Sequence, residues 1–277
     1  MQENLKKAKA AIEAADSVLI TAGAGMGVDS GLPDFRGPEG FWRAYPAIRK
    51  LGYRFEEMAN PEWFDKEPRL AWAFYGHRYL LYSRTRPHEG FSRLLALCGH
   101  KKGGCFIFTS NVDGQFQKAG FDEEQIMEVH GSIHWLQCSV NCTDEIWKAE
   151  DLGIKIDPET FRLTSEIPSC PRCGGVARPN ILMFGDYRWI SRRTDLRYER
   201  MRIWLEKKSR TKMVIIEIGA GTAVPTVRMM SEKIMRDYNA TLIRINPGEY
   251  DVPKRAIGLP MGAKEAIERL YAPIAKA

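Results

Sequence analysis

Five short runs of aliphatic and β-branched residues, each stopped by glycine, serine, asparagine or aspartate, limit this chain more than any other feature. They are residues 17–21 (SVLIT, then AGAG), 105–109 (CFIFT, then SNVD), 126–129 (IMEV, then HGS), 213–218 (MVIIEI, then GAG) and 241–245 (TLIRI, then NPG). Runs that are apolar at both odd and even positions read as strands buried on both faces of a parallel sheet. Helix-like stretches at 4–15, 90–98, 223–238 and 264–271 lie between them. The alternation predicts an α/β fold, a Rossmann-like doubly wound parallel sheet. Ligands of such sheets bind beyond the C-terminal strand ends, where the polar residues that stop each run fall.

Two segments break the alternation. Residues 38–87 are aromatic-rich (GFWRAYP, PEWF, WAFYGHRYLLY), and residues 138–173 carry paired cysteines. Both read as insertions that build a smaller lobe. The expected division is a large lobe at 1–37, 88–135 and 178–277, a helical module at 38–87 and a zinc module at 136–177. Lys and Arg number 41 against 35 Asp and Glu, a net charge of +6, which suits a polyanionic small molecule and is no footprint of specific nucleic-acid binding. The densest basic stretch, 188–212, reads as a helix with a solvated basic face. No apolar run reaches the roughly 18–20 residues that span a bilayer, so no membrane contact is expected. The charged N-terminal stretch lacks the apolar middle of a secretory signal, and a cytoplasmic protein is expected.

The six cysteines sort into two kinds. Cys98 and Cys105 stand alone and read as separate, buried, inert thiols. Cys138 and Cys142 (CSVNC) and Cys170 and Cys173 (CPRC) form two short pairs of the spacing that closes a tetrahedral zinc site. Four thiolates leave no open position, so one structural zinc per chain is expected rather than a catalytic one. The alternative is two unrelated thiol pairs.

The run TAGAGMGVDSGLPDFRG at 21–37 opens with Gly23, Ala24, Gly25 and Met26 directly after a strand. Such a turn lets backbone N–H groups approach a pyrophosphate, with a following helix N-terminus adding a favourable field. Val28 stands where G-x-G-x-x-G needs glycine, which disfavours a plain dehydrogenase. Of the five histidines, His77, His88, His100 and His134 read as ordinary satisfied or exposed residues. His130 closes an apolar run just before Gly131-Ser132, which puts it at a strand end over the cleft, where a pKa near 6.5 suits a base.

From Gly23 to Arg36 the chain resembles the sirtuin signature GAG-x-S-x-x-SGIPDFR, with Gly27 in place of Ser. Thr109-Ser110-Asn111-Val112-Asp113 resembles the family's TQN-[IV]-D, His130-Gly131 its catalytic HG, and RPNILMFGD its RP-x-V-V-x-FGE. Gly219, Gly221 and Thr222 stand where the family has GTS, and Asn246 where it has a ribose-contacting asparagine. The resemblance implies an NAD-dependent protein lysine deacylase. NAD is consumed as co-substrate, acylated-lysine proteins are the partners, and the zinc is structural. It implies His130 as base, with Asn111 and Asp113 lining the nicotinamide pocket. Asp34, Phe35 and Arg36 would fold over NAD, and Ser110 and Met261 join the NAD-binding set. Products would be nicotinamide, lysine and 2′-O-acyl-ADP-ribose. An NAD glycohydrolase, a mono-ADP-ribosyltransferase and an NAD-binding sensor with little turnover are the alternatives. Ser110 replaces the family's ribose-reaching Gln, and Asp186 the Glu of FGE. Tyr75 and Arg78 share one helical face in FYGHR. They resemble the pair with which desuccinylases and demalonylases read an acyl carboxylate, although an ordinary amphipathic helix with an exposed arginine has the same spacing.

Overall fold

A computed structural model describes residues 1–34 and 37–271, so Phe35 and Arg36 lie outside the described residues. A six-stranded parallel sheet holds β1 (Ser17–Ala22), β2 (Cys105–Thr109), β3 (Ile126–Glu128), β9 (Met213–Ile218), β10 (Thr241–Ile245) and β11 (Ile257–Leu259). Its order is β11-β10-β9-β1-β2-β3. The five expected strands are all present. β11 gave no strand signal because Gly258, a residue depleted in strands, interrupts its short apolar run.

Every residue of β1, β2 and β9 is buried, and strand parity sorts them onto two faces. Val18, Ile20, Ile107, Val214, Ile216 and Ile243 pack with residues of α1 (Gln2–Ala14), α3 (Glu89–His100) and α6 (Ala263–Tyr271). Leu19, Phe106, Phe108, Ile215 and Leu242 pack on the other side with α4 (Arg192–Lys208) and α5 (Thr226–Asp237). Helices on both faces explain why the strands carry apolar residues at odd and even positions alike. Chain direction reverses its march between β1 and β9, the switch point of a doubly wound sheet.

A second core is built by α2 (Pro68–Arg84) with the antiparallel strands β4 (Gly131–Cys138), β5 (Ile146–Lys148) and β8 (Ala177–Ile181). A small hairpin, β6 (Ile156–Asp157) with β7 (Arg162–Leu163), closes against α2. Seven consecutive residues of α2, Leu70 through Gly76, are buried, so the helix is enclosed rather than amphipathic. Trp72 Nε1 donates to the Ala177 carbonyl at 2.8 Å and ties α2 to β8. No helix of the described residues is long and apolar enough to cross a membrane.

Two readings are corrected. Cys98 and Cys105 are joined in a disulfide, not separate thiols, because the turn through Gly103 and Gly104 (φ +66°) folds β2 back on the end of α3 and brings the two Cα atoms to 5.2 Å. The basic helix α4 does not present all its cations to solvent. Arg197 is buried and donates to the Glu123 and Ile126 carbonyls, and Arg193 pairs with the buried Glu128 carboxylate at 2.6 Å.

Glu217 of β9 and Arg244 of β10 are registered neighbours inside the sheet, both fully buried. The guanidinium donates to Glu217 at 2.5 and 3.1 Å, to Glu232 at 2.8 Å and to the Asp251 carbonyl at 2.5 Å. Removing one member of such a network leaves an uncompensated buried charge. Arg244→Met is expected to lower stability by about 3–5 kcal/mol, read from the shift of a urea unfolding midpoint.

Candidate functional site

The C-terminal ends of β1 and β9 meet in two glycine turns. Gly23 N–H donates to Ile218 O at 3.0 Å and Gly25 N–H to Gly219 O at 3.0 Å. Gly219 has φ +63°, and a Cβ on it would lie 2.4 Å from the Gly25 backbone, so no side chain fits the seam. Two short 3-10 turns, Ala24–Met26 and Val28–Ser30, follow Gly23, where the sequence suggested a helix N-terminus. The expected helix field is therefore absent, because successive glycines and the return to Leu32 keep the chain in tight turns.

Beyond β2 the chain is stitched to the end of β1. Thr109 Oγ1 and Ser110 N–H both donate to the Ala22 carbonyl, and Asn111 Nδ2 donates to the Gly23 carbonyl at 3.0 Å. Asp113 is buried, accepts from Gln115 N–H at 2.9 Å, and burial pushes its carboxyl up to about 6. His130 follows β3, and its carbonyl accepts from Leu182 N–H at 3.0 Å. Burial pushes the His130 imidazole below its ordinary pKa, against a hydrogen bond with the Ser110 backbone that works the other way. Gly131 then turns the chain into β4 at φ +78°; a Cβ there would sit 2.1 Å from the Asn180 carbonyl oxygen.

One cavity of about 890 Å³ gathers these elements. Gly23, Ala24, Gly25, Asp34, Ser110 and Asn111 line it, as do Asp113, His130, Gly219, Gly221 and Thr222. Tyr75 and Arg78 reach it from α2. Met26 and Met261 are instead packed in the core under the sheet. Asn246 is buried and acts on the loops: its Nδ2 donates to Ala220 O at 3.0 Å, and its Oδ1 accepts from Gly248 and Glu249 N–H. Two of the other histidines serve the fold. His88 caps α3 and bonds to Met26 O at 3.0 Å, and His134 bonds to Asp113 O at 3.0 Å.

Arg78 is only 7% exposed, so it is not an exposed arginine of an amphipathic helix. Its guanidinium lies 5.5–5.8 Å from the ring centres of Phe55, Phe74, Tyr75 and Tyr82. Burial opposes its charge, but the surrounding phenols prevail and hold its pKa above the ordinary value. The Tyr75 hydroxyl is buried and has no hydrogen-bond partner among the described residues. The sequence reading did not single out two further residues of the lining. Tyr82 could have been found, since it continues the face of Tyr75 and Arg78. Glu249, whose carboxylate accepts from Thr222 N–H and Oγ1, gave no local signal. The turn of Leu182, Met183 and Phe184, inside the RPNILMFGD segment, also lines the cavity. That turn is fixed by the buried Arg178–Asp186 pair at 2.7 and 2.9 Å, so the shorter Asp still makes a two-pronged bond.

Away from the cavity, the sulfurs of Cys138, Cys142, Cys170 and Cys173 all lie within 4.8 Å of one another, with 138–173 at 3.8 Å and 142–170 at 3.6 Å. A tetrahedron of zinc–sulfur bonds about 2.3 Å long has edges of about 3.8 Å. Backbone N–H groups of Arg172 and Gly175 point at Cys170 and Cys173 Sγ at 3.4 Å, an arrangement that favours thiolates. The donor set therefore fits zinc.

The Sir2 family model matches residues 23–224. An NAD-dependent protein deacylase of Aeropyrum pernix is 31% identical over 254 residues, 90% of this chain and 88% of the relative. One from Aquifex aeolicus is 29% identical over 244 residues, 87% of each chain. Among solved structures, a Sir2 homologue in complex with ADP-ribose has a TM-score of 0.70 at 24% identity, covering 96% of this chain and 94% of that one, and shares the fold.

Because Gly131 combines a left-handed backbone with contact against Asn180, Gly131→Ala is expected to cost at least about 2 kcal/mol, measured by chemical denaturation.

Proposed function

The chain belongs to the Sir2 family, and from that premise we propose that it is an NAD-dependent protein lysine deacylase preferring acyl groups that end in a carboxylate. One observation carries the reading: the glycine turns of the sheet, the Asn111–Asp113 segment, His130 and the Tyr75–Arg78 pair all line a single cavity. A dinucleotide approached by the Gly23–Gly25 and Gly219–Thr222 turns and an acyl chain reaching Arg78 would meet beside His130. In this reading residues 1–37, 88–135 and 178–277 form the large lobe, with the helical module 38–87 and the zinc module 136–177 inserted.

The chemistry follows from those positions. The acyl-lysine carbonyl oxygen displaces nicotinamide from ribose C1′. His130, neutral because burial lowers its pKa, takes the proton of the ribose hydroxyl. The 2′-oxygen then attacks the imidate carbon, and water completes the release of lysine and 2′-O-acyl-ADP-ribose. Asn111 and Asp113 hold the nicotinamide side. Arg78 supplies a buried cation for the acyl carboxylate, and Tyr75 an unpartnered hydroxyl beside it. Cys138, Cys142, Cys170 and Cys173 would hold one structural zinc, which fixes β4 relative to the knuckle at 170–173 and takes no part in the reaction.

The test is mass spectrometry of the NAD-derived product with succinyl-, malonyl- and acetyl-lysine peptides. Peptide-dependent 2′-O-acyl-ADP-ribose, made faster from the succinyl or malonyl peptide, supports the reading. Nicotinamide release without peptide means NAD hydrolysis, ADP-ribose on protein means transfer, and binding without product means a sensor. His130→Ala is expected to lower peptide turnover by about 10²–10⁴-fold. Protonation of the base removes activity, and its pKa lies below 6.5, so kcat should hold above pH 7 and fall on the acid side of 6.5. Asp113, with its carboxyl near 6, titrates in the same range.

For the metal, elemental analysis should find about one zinc per chain, lost in Cys170→Ser together with a lowered melting temperature.

A further inference from the structure

We propose that Tyr82 is a specificity-determining residue of the acyl end of the cavity, positioning Arg78 and donating its own hydroxyl proton to the acyl terminus. The inference rests on the carboxyl-acyl reading above and adds a third reader to it. Tyr75, Arg78 and Tyr82 are spaced i, i+3, i+7 on α2 and so share one face, and all three line the cavity. Tyr82 is buried at 5% exposure.

The hydrogen bonds give the residue its direction. Arg78 Nε and Nη2 both donate to the Tyr82 oxygen, at 3.2 and 3.1 Å. A phenol oxygen has two lone pairs and one proton. With both lone pairs engaged by the guanidinium, Tyr82 can only donate further, and no acceptor takes its proton among the described residues. Tyr75 contributes a second buried hydroxyl without a partner, and a guanidinium never accepts. These groups therefore offer donors to whatever lies against the α2 wall of the cavity. An acyl chain ending in a carboxylate, with two acceptor oxygens and no proton, satisfies them. A terminal amide brings its own N–H groups and does not. The paired hydrogen bonds from Arg78 to Tyr82 also fix the plane of a long side chain that would otherwise sample many rotamers, so the cation is held before substrate arrives.

The phenol is also set between two other parts of the site. Its pKa is raised by burial first and by the Asp113 carboxylate as well, and lowered by Arg78. The hydroxyl thus stays protonated at every working pH.

The experiment compares wild type, Tyr82→Phe and Arg78→Met on succinyl-lysine, acetyl-lysine and carbamoylpropionyl-lysine peptides, the last being the terminal amide of the succinyl chain. Tyr82→Phe keeps the ring, and its melting temperature is measured alongside; Tyr82→Leu serves as the second variant if the first does not fold. Loss of one charge-assisted hydrogen bond predicts a fall of about ten- to a hundredfold in the succinyl-to-acetyl ratio of kcat/KM. The fall should appear mainly in KM for the succinyl peptide, and discrimination between succinyl and its amide should shrink. A purely structural role would lower all three peptides together and leave the ratios unchanged; that result, in a folded variant, overturns the proposal. If Arg78→Met shifts the acyl preference and Tyr82→Phe does not, Tyr82 is removed and the carboxyl-acyl reading stands. If wild type favours neither succinyl over acetyl nor succinyl over its amide, both fall.

Discussion

At the C-terminal edge of the sheet two backbones touch with no side chain between them. Gly25 donates to Gly219 O, Gly23 to Ile218 O, and Gly219 N–H to Ile245 O, so β1, β9 and β10 are locked together just where they end. A Cβ on Gly23 or Gly25 would stand 2.7 Å from Gly219 atoms. This seam exists because strand order reverses between β1 and β9, so that two turns leave the sheet side by side. The cavity opens over it, and the Asn111 side chain adds a fourth clasp by bonding Gly23 O. Floor geometry is thus set by main chain, which has fewer ways to rearrange than side chains do.

The opposite wall has a different origin. α2 is enclosed in aromatic and aliphatic neighbours, with Phe74 and Tyr45 rings 5.2 Å apart and Phe64 stacked on Tyr75 at 5.6 Å. Its polar residues Tyr75, Arg78 and Tyr82 are carried into the cavity by a helix that packs on nearly all sides. A buried cation is costly unless its hydrogen bonds and charge are answered. Here phenols and ring faces do part of that work.

Much of this was legible from residues alone. Five of the six sheet strands could be read because burial on both faces puts apolar residues at odd and even positions alike, and the paired cysteines because ligand spacing is local. Other features escaped for identifiable reasons. β11 has a glycine at the centre of its short apolar run. The Cys98–Cys105 bridge depends on a glycine turn folding α3 back on β2. Arg193 and Arg197 looked solvated because their partners, Glu123 and Glu128, sit some seventy residues earlier in the chain. Asn246 and Met261 carry family likeness in sequence, yet one bonds loops together and the other fills the core. The parity of a strand or the face of a helix is written in a few adjacent residues; a pairing across the fold is not.

The enclosure of α2 has an evolutionary consequence. Retuning which acyl chain is accepted means substituting residues that also hold a lobe together, so selectivity and foldability cannot drift separately. A lineage that enlarges or discharges this wall must first accumulate compensating changes among the rings around it. Related chains with different tastes are then expected to differ in whole clusters of aromatic positions rather than in one.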